Sequence, residues 1–314
     1  MTKPGRLASG EQYEISGGGY TATVVEVGGG LRTLSYQGRD LVDGYPADQM
    51  SPYVRGGVLM PWPGRIEDGS YRFGGHEYQL AITEPPTSTA IHGLVLWVPW
   101  QPVEHTESAV TLHWALTAQQ GYPFLLDLQV RYEVSTEGLT VTFVAANVGS
   151  DSAPYACGPH PYLRAGDGPI GDWQLHVPAG TVMEMSDRNL PVAPHPVSGP
   201  YDFRSPRALG DTVLDNTYTD LARGDDGVFR AQLIADGPDG PGGPGGRQGV
   251  EVWSDEGFGW LQVYTSDTQP EPYYRRSVAI EPLTCPPNAF RSGDGLVVLE
   301  PGQEHVGRWG LRAL

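Results

Sequence analysis

The chain is 314 residues long, and its Lys and Arg total 20 against 37 Asp and Glu, a net charge of −17. Such an excess of carboxylates repels phosphate backbones and anionic bilayers, which argues against nucleic-acid and membrane partners. Cys157 and Cys285 are the only cysteines, too few for a disulfide framework and without C-x-x-C spacing, so both are expected to act as small apolar residues.

The opening MTKPGRLASGEQYEISGGGY has no apolar run of the kind a secretion signal needs, and no stretch of the chain approaches about 18 apolar residues, so a cytoplasmic protein is expected. YTATVVEVG (20–28) and TLHWALTA (111–118) have the texture of strands. The clearest pattern is LDLQVRYEV (126–134), where Leu126, Leu128, Val130, Tyr132 and Val134 alternate with polar residues, a strand with one wet face. After the turn STEG, LTVTFVAAN continues the alternation, so residues 125–148 read as a long hairpin. WQLHVPAGTVMEM (173–185), VFRAQLIAD (228–236), VEVWSDEGFGWLQVYTSD (250–267) and EHVGRWGLRAL (304–314) repeat the texture. DGPDGPGGPGGRQG (236–249) has the composition of a tether, but the similar short strands on either side make it an elaborated hairpin loop, since a true linker leaves two unpaired edges. No long segment carries a 3.6-residue apolar period, and no fixed repeat is visible. The expected fold is all-β, a large antiparallel β-sandwich, with residues 1–314 forming a single domain.

Four polar islands combine ionisable with turn-forming residues: PWPGRIEDGSYRFGG (61–75), AIHGLVLWVPW (90–100), CGPHPYL (157–163) and AIEPLTCPPNAF (279–290), with LDNTYTDL (214–221) as a weaker fifth. Singly, each has a structural explanation: Arg65 as a surface arginine beside a carboxylate, His92 and His160 as hydrogen-bonded turn histidines. Glu281 is harder to explain away, because it ends the apolar run Ser-Val-Ala-Ile at the inner end of a strand, where an unpaired carboxylate is costly. Pro159 and Pro161 leave His160 little backbone freedom, a useful property in a general acid.

Taken in order, these segments resemble the aldose 1-epimerase (galactose mutarotase) family, whose motifs run P-x-x-G-R-I-x-x-G-x-Y-x-F-x-G, I-H-G, G-x-H-P-Y-[FL], an Asp before a polar and aromatic stretch, and a late Glu-Pro. Here they stand as PWPGRIEDGSYRFGG, AIHGL, GPHPYL, LDNTYTDL and AIEPLTCPPNAF, followed by LEPGQEH, so the resemblance spans residues 57–306. Two departures mark a subfamily: Gly64 stands where many members carry Asn before Arg-Ile, and Ser88, Thr89 and Ala90 precede the I-H-G word where Asn is often found.

The resemblance implies an isomerase that interconverts the α and β anomers of a small-molecule aldose of galactose or glucose type, with Glu281 as general base at the anomeric hydroxyl and His160 as general acid at the ring oxygen. His92 is then a second imidazole near the ring oxygen, and Arg65 and Asp215 hold sugar hydroxyls. The chemistry needs no cofactor and no metal. Trp62, Trp97 or Trp100 are candidates for a wall against the apolar face of the sugar. Three alternatives stand beside this reading: a non-catalytic sugar-binding sandwich, which has no use for an acid and base pair; a hexose-6-phosphate or sulfosugar 1-epimerase, using Arg65, Arg72, Arg164, Arg275 or Arg276; and a zinc hydrolase built from His92, His160, Cys157 and Glu281.

Overall fold

The computed structural model describes residues 5–237 and 246–314. Leu126, Leu128, Val130, Tyr132 and Val134 are all buried on one face of the strand Leu126–Ser135, as the alternation predicts. Burying one Val or Leu side chain fully contributes roughly 1.5–3 kcal/mol, so this face fixes the register. The strand pairs antiparallel with Gly138–Asn147, from Leu126 opposite Asn147 to Ser135 opposite Gly138.

Among the described residues the two largest sheets have nine and six strands. The nine-stranded sheet runs, in spatial order, Gln101–His105, Ala109–Leu116, Leu126–Ser135, Gly138–Asn147, Glu304–Ala313, Arg247–Ser254, Phe229–Asp236, Gln174–His176 and Arg207–Ala208. The six-stranded sheet runs Tyr162–Leu163, Val278–Leu283, Trp260–Tyr264, Asp215–Leu221, Ala179–Met185 and Pro191–Pro196. A third sheet joins Gln12–Gly17, Tyr20–Val25, Leu31–Tyr36 and Arg39–Asp40. The ladders are antiparallel, and a continuous apolar core takes in Ile15, Val130 and Ile280 from the three sheets. The fold is the expected all-β class. Among the described residues no helix is long and apolar enough to cross a membrane.

The hairpin expected around residues 236–249 is present in its strands, with Phe229 opposite Ser254 and Asp236 opposite Arg247; residues 238–245 of its loop lie outside the described residues. Two segments that look continuous in the sequence instead divide between the sheets. Gln174–His176 belongs to the nine-stranded sheet and Ala179–Met185 to the six-stranded one, with the break at Val177-Pro178, where proline has no N–H to give a ladder. Arg247–Ser254 and Trp260–Tyr264 divide the same way across the turn at 255–259. The outer strand Pro191–Pro196 carries Pro191, Pro194 and Pro196, which blunt an edge otherwise open to pairing.

Candidate active site

The register of three central strands of the six-stranded sheet builds the floor of the site. Gln262 lies opposite Thr217 on one side and Glu281 on the other, while Tyr264 lies opposite Asp215 and Ala279. Cross-strand partners share a face, and so do residues two apart along a strand. Asp215, Thr217, Gln262, Tyr264 and Glu281 therefore share one face, and apart from Thr217 they line a cavity of about 610 Å³.

Glu281 sits in the middle of Val278–Leu283, not at the inner end of a strand as its proline neighbour suggests. The neighbouring strand Tyr162–Leu163 reaches only Ala279, so the amide that Pro282 lacks is not needed on that side. His160 comes from the short strand Gly158–His160, paired with Gly57–Leu59, and its carbonyl accepts from the Gly56 N–H at 2.9 Å. Its Nε2 lies 3.6 Å from Oε1 of Glu281, and both side chains are more than nine-tenths buried. Behind it, Tyr162 stacks nearly parallel on the imidazole, ring centres 4.9 Å apart at 17°.

His92 meets His160 edge-on at 5.3 Å. It adopts a left-handed backbone, φ 62°, and is clasped to Gly64 twice: its N–H donates to the Gly64 carbonyl at 2.9 Å, and the Gly64 N–H donates to its Nδ1 at 3.2 Å. Because Nδ1 accepts, the proton of the neutral ring is on Nε2. Gly64 itself has φ +64°, and a Cβ there would lie 3.0 Å from the Pro287 ring. The departure from Asn at this position thus goes with a proline ring packed against the glycine.

Arg65 opens the strand Arg65–Glu67 and is fixed by a bidentate pair to Glu84, Nε to Oε2 at 2.6 Å and the second bond at 2.9 Å. Thr87 and Thr89 donate their hydroxyls to the same carboxylate, Thr89 at 2.9 Å. Asp215 accepts from Gln262 Nε2 at 2.7 Å and from Asn189 Nδ2 at 3.0 Å, while Gln262 Oε1 accepts from Thr217 at 2.5 Å. Arg65, His92, His160, Asp215 and Glu281, picked from separate parts of the sequence, all line this one cavity.

Burial governs the charges here. It raises Glu281 well above the ordinary carboxylate range, with the Asp215 charge adding to the effect and Arg65 opposing it. It also raises Asp215, against the pull of Arg65 and the Gln262 hydrogen bond. Burial takes His160 down to about 3, with the Arg55 and Arg65 charges acting in the same direction, and it holds His92 well below its usual value. Glu281 and His160 together therefore hold one proton over a wide pH range.

Several expectations are corrected. Trp62 is buried against Phe290, Trp100 is buried under Gly29, and Trp97 is 49% exposed; none of them lines the cavity, whose aromatic walls are Tyr53, Tyr162 and Tyr264. Arg72 pairs with Glu77, Arg164 with Asp167, Arg275 with Asp267 and Arg276 with Asp43. Among the described residues Arg65 is the one Lys or Arg lining the cavity, and Glu84 already engages it. Cys157 is packed in the core with its thiol pushed up to about 12 by burial, and among the described residues no three His, Cys, Asp or Glu are grouped to hold a metal ion. Glu84, Gln262 and Tyr162 were not singled out by the sequence. Tyr162, two residues beyond His160, was the one with a local signal.

Residues 11–312 match the family model described as aldose 1-epimerase. The uncharacterized protein YihR of Escherichia coli strain K12 is 36% identical over 299 residues, covering 95% of this chain and 91% of that protein. Human galactose mutarotase is 29% identical over 175 residues, 53% of this chain and 50% of that protein. Among solved structures, a GalM/aldose epimerase homologue from C. elegans superposes with a TM-score of 0.82 at 20% identity, covering 97% of this chain and 98% of that one. A galactose 1-epimerase from Lactobacillus acidophilus NCFM gives 0.77 at 18% identity, covering 100% and 97%.

Proposed function

The chain belongs to the aldose 1-epimerase family, and on that premise we propose that it interconverts the α and β anomers of an aldohexopyranose by general acid–base ring opening and reclosure. The observation that carries the reading is the approach of His160 Nε2 to within 3.6 Å of Glu281 Oε1 in a cavity that Arg65, His92 and Asp215 also line. The anomeric oxygen and the ring oxygen are bonded to the same carbon, so a base for one and an acid for the other must stand close together.

The one proton of the pair rests on Glu281 and must pass to His160 before ring opening; with a sugar bound in that form, the Glu281 carboxylate takes the proton from the anomeric hydroxyl as the bond between C1 and the ring oxygen breaks. His160 delivers its proton to that ring oxygen, leaving an open-chain aldehyde. Rotation about the bond from C1 to C2 turns the other face of the carbonyl to the hydroxyl. On reclosure His160 takes the hydroxyl proton back and Glu281 returns its proton to the carbonyl oxygen, so the pair ends as it began. The transfers pass one proton between the two residues, which suits a pair that holds a single proton across a broad pH range. His92, with its Nε2–H free of the clasp to Gly64, is a donor for the ring-oxygen side; Arg65, Asp215 and Gln262 hold ring hydroxyls.

The aromatic and polar lining alone fits a non-catalytic sugar-binding module equally well, but such a module gains nothing from a buried acid and base in contact. The reading is tested by polarimetry of freshly dissolved α-anomers of neutral aldohexoses and their 6-phosphate and 6-sulfonate relatives. A rate of approach to equilibrium that rises in proportion to protein concentration for at least one of them supports it. An unchanged rate for all of them contradicts it.

A further inference from the structure

Behind His160 lies a buried cation that the proton transfers do not use. Arg55 is 2% exposed. Its guanidinium carbon lies 4.2 Å over the ring of Tyr162 and 4.3 Å over that of Tyr273, and Tyr162 is the ring that stacks on His160. Asp43 Oδ2 accepts from Arg55 Nε at 3.3 Å and from its second terminal nitrogen at 3.2 Å, and Gln269 Oε1 accepts from that same nitrogen at 3.1 Å. Gln269 in turn donates to the Tyr162 hydroxyl at 2.8 Å, and that hydroxyl donates to the Tyr53 carbonyl at 3.2 Å. Tyr53 and Val54 are consecutive residues at φ 53° and 61°, uncommon for any non-glycine and a true outlier for the β-branched valine. Both line the cavity, and the turn is closed on Arg55, whose N–H and side chain both donate to the Pro52 carbonyl at 3.2 Å.

We propose that Arg55 is a positioning residue for the proton donor of this site, one that holds Tyr162 against the face of His160 and keeps a permanent positive charge behind the imidazole. The inference rests on the acid role given to His160 above. The charge is not cancelled by its partner, because Asp43 also pairs with Arg276 at 3.0 Å, two guanidinium groups on one carboxylate. A fixed positive charge disfavours the imidazolium and makes it the stronger proton donor. Other charged or titratable groups face His160 from the elements packed around it: Glu281 on Val278–Leu283, His92 following Thr89–Ile91, Arg65 on Arg65–Glu67, and Tyr162 itself. Of the two cations acting on His160, Arg65 lines the cavity where substrate binds and Arg55 lies behind the tyrosine, so Arg55 supplies a charge that substrate does not displace.

The test compares the wild type with Arg55→Met, which leaves Asp43 paired with Arg276, with Gln269→Glu, which is isosteric and neutralises the guanidinium in place, and with Arg55→Lys. The readouts are the titration of His160 by NMR of histidine-labelled protein and the pH profile of kcat. In Arg55→Met and in Gln269→Glu, the His160 titration and the acid limb of kcat are expected to move up together by at least about half a pH unit, the scale of a nearby charge. Arg55→Lys keeps the charge but not the planar stack, so its acid limb should stay where it is while kcat falls. A merely structural Arg55 would lower the amplitude without moving either midpoint, and that result in folded Arg55→Met overturns the inference; should Arg55→Met not fold, the same result in Gln269→Glu overturns it. If the wild type accelerates mutarotation of no aldose, the acid role and this inference fall together; if it does and the His160 titration stays fixed, only the inference falls.

Discussion

Replacing Glu281 with glutamine separates the stability of this site from its chemistry. Glu281 is 3% exposed and its carboxyl is raised well above 4.5 by burial and by Asp215. A group whose folded pKa lies above its unfolded value contributes fully below the unfolded value and loses that contribution as pH rises through the folded one. The wild type should therefore become less stable relative to Glu281→Gln from about pH 4.5 upward, levelling off once the folded carboxyl has ionised. Glutamine keeps the shape and carries no charge to desolvate. Each unit of displacement corresponds to about 1.4 kcal/mol. With roughly 2.1 cal/mol/K of unfolding entropy per residue over 314 residues, each kcal/mol moves Tm by about 1.5 °C. Thermal melts of both proteins in matched buffers from pH 4.5 to 9 should show the variant gaining on the wild type by a few degrees across the series. A difference in Tm that is flat or shrinks with pH would refute the claim that burial raises this carboxyl.

Other outcomes follow from the same geometry. His160 is lowered to about 3 from 6.5, so its contribution to stability is present above pH 6.5 and is lost as pH falls toward 3; His160→Asn should unfold less steeply with acid than the wild type in urea melts at pH 4 to 7. Because the pair takes its second proton near the lowered His160 value and loses its last near the raised Glu281 value, the pH profile of kcat should be a broad plateau, and a maximum as narrow as one or two pH units would contradict this assignment. Arg65→Ala removes a grip that exists before as well as during reaction, so it should raise KM by about tenfold or more while changing kcat less; the mixed change is read from initial rates over a range of aldose concentrations. Chelator at saturating concentration should leave the rate unchanged, and activity lost to chelator and restored by one particular metal would overturn the cofactor-free acid–base scheme.

Much of the architecture was legible because period-2 alternation is a local signal, and the hairpin of Leu126–Ser135 with Gly138–Asn147 follows from it directly. The crossings at Val177-Pro178 and at 255–259 were not legible, because switching between sheets changes the partner of a strand and not its pattern. The same limit governs the site. Arg65, His92, His160, Asp215 and Glu281 were found through ordered words rather than through spacing. Gln262 was missed because nothing in LQVY distinguishes a glutamine facing Glu281 across a ladder from one facing solvent; only the register of Trp260–Tyr264 against Val278–Leu283 does. Trp62 and Trp100 looked like a sugar wall, yet a large buried ring in a short turn serves packing at least as well, and smaller tyrosines took the wall. Glu84 gave no signal because its partner Arg65 lies 19 residues earlier.

The central claim is that Glu281 and His160 exchange one proton with the anomeric and ring oxygens. It is tested most directly by following folded Glu281→Gln by polarimetry from a pure α-anomer and from a pure β-anomer of an aldose that the wild type accelerates. Turnover is expected to fall by about a hundredfold or more in both directions, with both traces ending at the wild-type equilibrium rotation. Near-normal turnover in the folded variant, or a loss confined to one direction, would contradict it.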